Sequence, residues 1–260
     1  MLLLWLLGVW LNVTQRKSAP VGQTYAVVVG ISDYQALSYA NGDLRYADKD
    51  ARQFVQFLQS GVGGRTKSSH IQLLTNRQAT LANIQQALLV FRQANARDRV
   101  ILYFSGHGMS ECFVPYDARP GDERRLLTYR ALKKAFHASK ASTKLCITDA
   151  CLSGGMTQPS QSRMLTQSIA KEGGTASTVA MLLASRSTES AIETRKLAGG
   201  AFTHYLLKGL YGQADLNHDK VVTIQELHRY VSPQVKQITR GRQAPVFYGR
   251  FSDDLALSYL

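Results

Sequence analysis

The 260-residue chain has only three cysteines, six prolines and 18 acidic residues, and each scarcity excludes something. Cys112, Cys146 and Cys151 are too few and too scattered for a disulfide scaffold, and no Cys-x-x-Cys pair offers a zinc site. A reducing, cytoplasmic compartment follows as the expectation. No repeat in the range of about 20–50 residues marks a solenoid. No interleaved basic and aromatic motif or reading helix points to a specific nucleic-acid partner. The one long apolar run, Met1 to Leu11, falls short of the roughly 20 residues needed to cross a bilayer. It also lacks a basic leader, and Lys17-Ser18-Ala19 is a poor cleavage site. A truncated anchor, an interfacial tether and a misplaced start remain open for it, and a weak membrane tether through residues 1–11 is the working expectation.

What is present reads as one folded domain. Hydrophobic residues make up 45% and charged residues 19%, which suits a packed core and not a disordered chain. Basic residues outnumber acidic ones 31 to 18, a net charge of +13. The excess sits in two stretches. Arg119 to Lys144 holds eight basic and two acidic residues, and Arg229 to Arg250 holds five basic residues and no acid. Without an accompanying recognition motif, both read as solvated surface.

Periodicity predicts alternating strands and helices. Tyr25–Ile31 (YAVVVGI) and Arg99–Phe104 (RVILYF) are short apolar runs suited to strands buried on both faces, and Ile71–Leu74, Lys144–Thr148 and Val179–Ala184 are further strand candidates. Ala47, Ala51, Phe54, Val55 and Leu58 recur at helical spacing. Helices also begin after Thr80 and Thr128 and cover Phe202–Leu210 and Ile224–Ile238. Such alternation predicts an α/β fold with a mostly parallel central sheet and helices on both faces. Met156–Thr178 breaks the rhythm, with 13 Ser, Thr, Gln or Gly among its 23 residues, and reads as a functional loop.

Ligands of open α/β sheets bind beyond the carboxyl ends of the strands. The strong strand Arg99–Phe104 ends in Ser105-Gly106-His107-Gly108, and the next ends in Asp149-Ala150-Cys151-Leu152-Ser153-Gly154-Gly155. A histidine and a cysteine therefore leave the same edge. A thiolate is a strong nucleophile and a nearby imidazole can generate it, so His107 and Cys151 are the candidate general base and nucleophile. Backbone N–H groups beside the glycines could hold a tetrahedral oxyanion. Cys112 and Cys146 read as packing residues.

These blocks resemble the caspase-like clan of cysteine peptidases (peptidase C14), and most closely its bacterial metacaspase-like members, the orthocaspases. The resemblance rests on YAVVVGI with DLRYADKDA, on YFSGHG and on TDACLSGG, with weaker agreement through ASRSTESAIE, GGAFTHYLLKGL and DLNHDKVVTIQELHRYV. It implies a caspase-like three-layer sandwich. It further implies a His107–Cys151 dyad and an oxyanion hole from the N–H groups of Gly108 and Cys151. The implied division is an apolar segment and linker (1–22), a p20-like part (23–155), an activation loop (156–178) and a p10-like part of the same domain (179–260).

Animal caspases carry Gln two residues before the nucleophile, where this chain has Asp149. In metacaspases that Asp lines the S1 pocket with an Asp after the first strand and a Ser two residues before the His. The resemblance maps these onto Asp50 and Ser105, with Asp48 and Asp43 competing for the first place. Carboxylates there favour Arg or Lys and repel Asp. The expectation is a monomeric endopeptidase cutting protein or peptide substrates after Arg or Lys and processing itself after Arg163 or Lys171. A catalytically silent caspase-like interaction module and a non-proteolytic Cys-dependent hydrolase are the rivals.

The chemistry needs no cofactor, although calcium is a candidate activator. Asp215, Asn217, Asp219 and Glu226 have EF-hand ligand spacing, but Lys220 stands where glycine permits the sharp turn. Thr223 and Glu226 also make a helix capping box without any metal.

Overall fold

The computed structural model describes residues 22–37, 42–109, 111–150, 178–184, 193–194 and 197–260. β1 (Thr24–Gly30) leads to α1 (Ala47–Gln59) and β2 (Ile71–Thr75). α2 (Leu81–Ala87) tightens into a 3-10 helix before β3 (Arg99–Gly106). Three short strands, β4 (Gly108–Met109), β5 (Cys112–Phe113) and β6 (Leu127–Thr128), form their own small sheet. α3 (Tyr129–His137), β7 (Thr143–Ala150) and β8 (Thr178–Leu183) follow. The antiparallel pair β9 (Glu193–Thr194) and β10 (Gly199–Gly200) precedes α4 (Ala201–Lys208). β11 (Val221–Thr223), α5 (Ile224–Ile238), β12 (Val246–Arg250) and β13 (Ala256–Tyr259) complete the chain.

The main sheet runs β12-β8-β7-β3-β1-β2 and is parallel except for β12 against β8. Its central strands bury both faces because their side chains are apolar at odd and even positions alike. Val27, Val29, Leu102, Phe104 and Cys146 pack toward α2 and α3. Ala26, Val28, Ile101, Tyr103, Leu145 and Ile147 pack toward α1, α4 and α5. The expected three-layer sandwich is therefore the fold. Thr80 and Thr128 cap their helices by accepting from the N–H groups of Asn83 and Ala131, and Thr223 with Glu226 forms a full capping box.

Three sequence expectations need correction. Val246–Arg250, with its Gly and Arg, lacks a strand-like apolar pattern; it nevertheless pairs at the edge, where two of its five residues are exposed. Lys144, counted with a solvated basic stretch, is buried in β7, and burial lowers its ammonium pKa. The cytoplasmic, membrane-tethered placement is overturned as well. Among the described residues no helix is long and apolar enough to cross a membrane. α5 is the longest at 15 residues, short of the roughly 20 apolar residues a span needs. The segment 1–11 lies outside the described residues.

Candidate active site

The site lies at the carboxyl edge of β3 and β7, on the face covered by α1 and α4. Register pairs Ser105 with Asp149 and Gly106 with Ala150, so the residues that follow leave the sheet from adjacent strands. His107 comes directly after β3. Its backbone N–H donates to the Tyr34 hydroxyl at 2.7 Å, and its ring lies 4.9 Å from the Tyr34 ring. Gly106 permits this approach with φ of 157°, because a Cβ there would come within 2.7 Å of the Tyr34 hydroxyl. The Nε2 of His107 is hydrogen-bonded to the carbonyl oxygen of Gly42. A carbonyl only accepts, so the neutral ring carries its proton on Nε2 and leaves Nδ1 as the basic nitrogen. Gly108 opens β4 and pairs with Phe113. Cys151, the other expected member of the dyad, lies outside the described residues, as do Arg163 and Lys171.

Asp50, Ser105 and Asp149 come together although nearly 100 residues separate the first from the last in sequence. All three are buried. Asp50 projects from the core-facing side of α1, and one of its oxygens accepts the Gly200 N–H at 2.8 Å. Asp149 Oδ2 accepts both the N–H and the hydroxyl of Thr203, at 3.0 and 2.8 Å. α4 has Gly200 as its N-cap and no side-chain cap of its own, so the two carboxylates supply the acceptors that its first turn lacks. Gly200 is required by the close approach: a Cβ there would lie 2.2 Å from Asp149 Oδ2 and 2.9 Å from Asp50 Oδ2. The Tyr103 hydroxyl, 2.7 Å from that of Thr203, also interacts with the Ser105 side chain.

The competing acids have other work. Asp48 accepts from the Ser32 hydroxyl at 2.8 Å, and Asp43 accepts from the Tyr34 N–H at 3.1 Å. Sequence reasoning missed Glu193, whose carboxylate accepts the N–H groups of Arg45 and Tyr46 at 2.7 and 2.8 Å. It thereby caps α1, which also lacks a side-chain cap of its own. It missed Thr203 and Tyr34 too. The signal available was the run Gly199-Gly200-Ala201-Phe202-Thr203, two glycines directly before a helix.

Burial out of water raises the pKa of both carboxylates. Burial, and then the neighbouring Asp149, push Asp50 up to about 8, against the opposing pull of the Gly200 N–H. Burial pushes Asp149 up to about 6, with the two Thr203 bonds pulling the other way.

In the loop with EF-hand spacing, most side-chain oxygens accept hydrogen bonds from the loop itself, while Asp215 Oδ1 is buried without a hydrogen-bond partner among the described residues. Asp215 accepts from the Lys220 N–H at 3.1 Å, Asn217 from that of Asp219 at 2.9 Å, and Asp219 from that of Val221 at 2.9 Å. Glu226 Oε2 accepts the N–H and hydroxyl of Thr223 at 3.0 and 2.7 Å. Lys220 itself takes the left-handed conformation, with φ of 67°. No group of three or more His, Cys, Asp and Glu suited to a metal lies among the described residues.

The family profile of the caspase domain, peptidase C14, matches residues 23–256. The fold is similar to that of caspase-1 from Spodoptera frugiperda, with a TM-score of 0.64 at 13% identity, covering 96% of each chain. It is also similar to the protein GSU0716 from Geobacter sulfurreducens, with a TM-score of 0.60 at 16% identity, covering 89% of this chain and 95% of that one. No curated protein matches the chain in sequence.

Proposed function

The chain belongs to the caspase-domain family of cysteine peptidases, and from that membership we propose that it is a metacaspase-like endopeptidase cutting after Arg or Lys. The observation that carries the specificity is the pair Asp50–Asp149, two buried carboxylates meeting at Gly200 beside the strand end that bears His107. A guanidinium entering between them finds acceptors on both sides, and its charge favours the ionised form of each. An Asp side chain would add a third negative charge to the same space.

In the proposed reaction His107 Nδ1 takes the thiol proton of Cys151, and the thiolate adds to the scissile carbonyl carbon. The N–H groups of Gly108 and Cys151 stabilise the oxyanion. His107 then protonates the leaving amine as the C–N bond breaks, which leaves a thioester on Cys151. Water, deprotonated by His107, hydrolyses the thioester and restores the thiol. The carbonyl of Gly42 holds the imidazole in the tautomer this requires, so it orients the base without itself exchanging a proton.

A fluorogenic peptide panel varied at P1 tests this reading. Arg and Lys peptides should be cleaved by wild type and not by Cys151→Ala or His107→Ala. Loss of either partner should remove nearly all activity, because nucleophile and base act as one unit. Cleavage retained above a few per cent in either folded variant removes the dyad. No cleavage of any peptide by wild type points to a silent interaction module. Thioester or ester turnover alone points to a non-proteolytic hydrolase.

A further inference from the structure

The opposite, amino-terminal edge of the sheet holds a second polar site that the peptidase reading does not use. Thr24, Arg99 and Thr143 are register partners at the starts of β1, β3 and β7, so their side chains share one face. With Arg97, Ser142 and Tyr259 they line a cavity of about 180 Å³. Arg99 donates to the carbonyl oxygens of Ala256 and Leu257 at 2.7 and 3.3 Å. No carboxylate among the described residues forms an ion pair with it. Asp98, the one acid that also lines the cavity, is buried and already paired: its two oxygens accept the N–H groups of Gln23 and Asn95 at 2.7 and 2.8 Å. The hydroxyls of Thr24, Ser142, Thr143 and Tyr259 make no side-chain hydrogen bond to any described residue.

A partly buried guanidinium whose charge is met only by backbone carbonyls is costly, and an anion beside it relieves that cost. Burial depresses the Arg99 pKa, and the neighbouring Tyr259 offsets only part of this. The donor set also fits one anion shape better than another. A planar carboxylate is satisfied by the guanidinium fork alone, whereas a tetrahedral oxyanion also uses donors that approach from several strands. We propose that this cavity is a binding site for a phosphate-class oxyanion, held by Arg99 and Arg97 with the hydroxyls of Thr24, Ser142, Thr143 and Tyr259. At the rise of about 3.3 Å per residue, β3 places it some 25 Å from His107, so the ligand is not a peptidase substrate.

The test is titration of the full-length protein with inorganic phosphate against chloride at matched ionic strength, read by thermal unfolding and by phosphorus NMR linewidth. A saturable rise in Tm is expected in phosphate and not in chloride. Arg97→Gln should weaken the phosphate affinity by about fivefold or more, and Tyr259→Phe by about twofold or more. Arg130→Gln with Lys134→Gln, on the exposed face of α3, should change it by less than about twofold. Arg97 and Tyr259 serve here because Arg99 also ties down β13 and its replacement could unfold the edge. A non-saturable effect, or an equal one in chloride, overturns the proposal. So does an equal loss in the α3 variant, which would place the ion on the general basic surface. Acetate binding as tightly as phosphate overturns the assignment to a tetrahedral anion.

Discussion

At the scale of single residues, the proposed chemistry depends on two carboxylates that the fold keeps reluctant to ionise. Removing one partner from a buried charge pair typically costs about 3–5 kcal/mol. At about 1.4 kcal/mol per decade this is two to three and a half decades in kcat/KM. Asp149→Asn should therefore lose at least about a hundredfold on Arg peptides while circular dichroism stays native, and wild type should ignore Asp at P1. Normal Arg cleavage by that variant, or Asp cleavage by wild type, would refute the pocket. The same burial makes a stability prediction. Asp50 has a folded pKa of about 8, far above its ordinary 3.8, so the folded state binds its proton more tightly than the unfolded state. Its contribution to stability is full below about pH 4 and is lost as the pH rises through 8. Asp50→Asn keeps an acceptor for Gly200 and removes the titration, so its Tm should exceed that of wild type at pH 8.5 but not at pH 4. Parallel melting curves at both pH values check this, and an equal difference at the two would mean that Asp50 is not raised.

At the scale of elements, the site is assembled from helix ends. α1 and α4 both lack their own side-chain caps, and residues distant in sequence supply them: Glu193 and Ser32 to α1, Asp50 and Asp149 to α4. The pocket and the helix starts are thus the same hydrogen bonds. Gly200→Ala would drive a methyl group into the Asp149 carboxylate and displace the start of α4. We expect that variant to lose Arg cleavage mainly through KM, and a Michaelis analysis showing unchanged KM would contradict it. The Asp215–Glu226 loop offers a contrast, because most of its side-chain oxygens already accept hydrogen bonds from the loop itself and Thr223 with Glu226 caps α5. Asp215→Asn with Asp219→Asn should leave the calcium dependence of the rate, if any is found, nearly unchanged. A large shift of the calcium midpoint would restore the loop as a metal site.

At the scale of the whole molecule, the segment 156–178 joins two parts of a single sheet. β8, which follows it, lies between β7 and β12, with parallel pairing on one side and antiparallel on the other. Cleavage after Arg163 or Lys171 would leave both fragments paired through that strand. Wild-type protein incubated alone should give two fragments under denaturing mass analysis but one species in native size exclusion. Cys151→Ala should stay whole in both. An intact wild-type chain would refute the self-processing that the family resemblance leads one to expect, and fragments that separate natively would contradict the pairing.

Much of this was legible before any tertiary structure. The apolar runs of β1, β3 and β7 specify strands buried on both faces. The caps at Thr80, Thr128 and Thr223 are local chemistry and were found where the sequence put them. Asp50 does not stand out in this way. It and Asp48 flank the apolar stripe Ala47–Ala51–Phe54–Val55–Leu58 at similar angles, and the structure alone shows Asp50 buried and Asp48 half-buried. Only the tertiary structure could show what such a carboxylate meets. Its partners Gly200 and Asp149, the cap that Glu193 lends to α1, the Tyr34 hydroxyl under His107 and the row Thr24–Arg99–Thr143 all join residues far apart in sequence. Local propensity carries no information about such pairs. They are decided by which strands lie side by side and in what register, and that is settled by burial of the whole core.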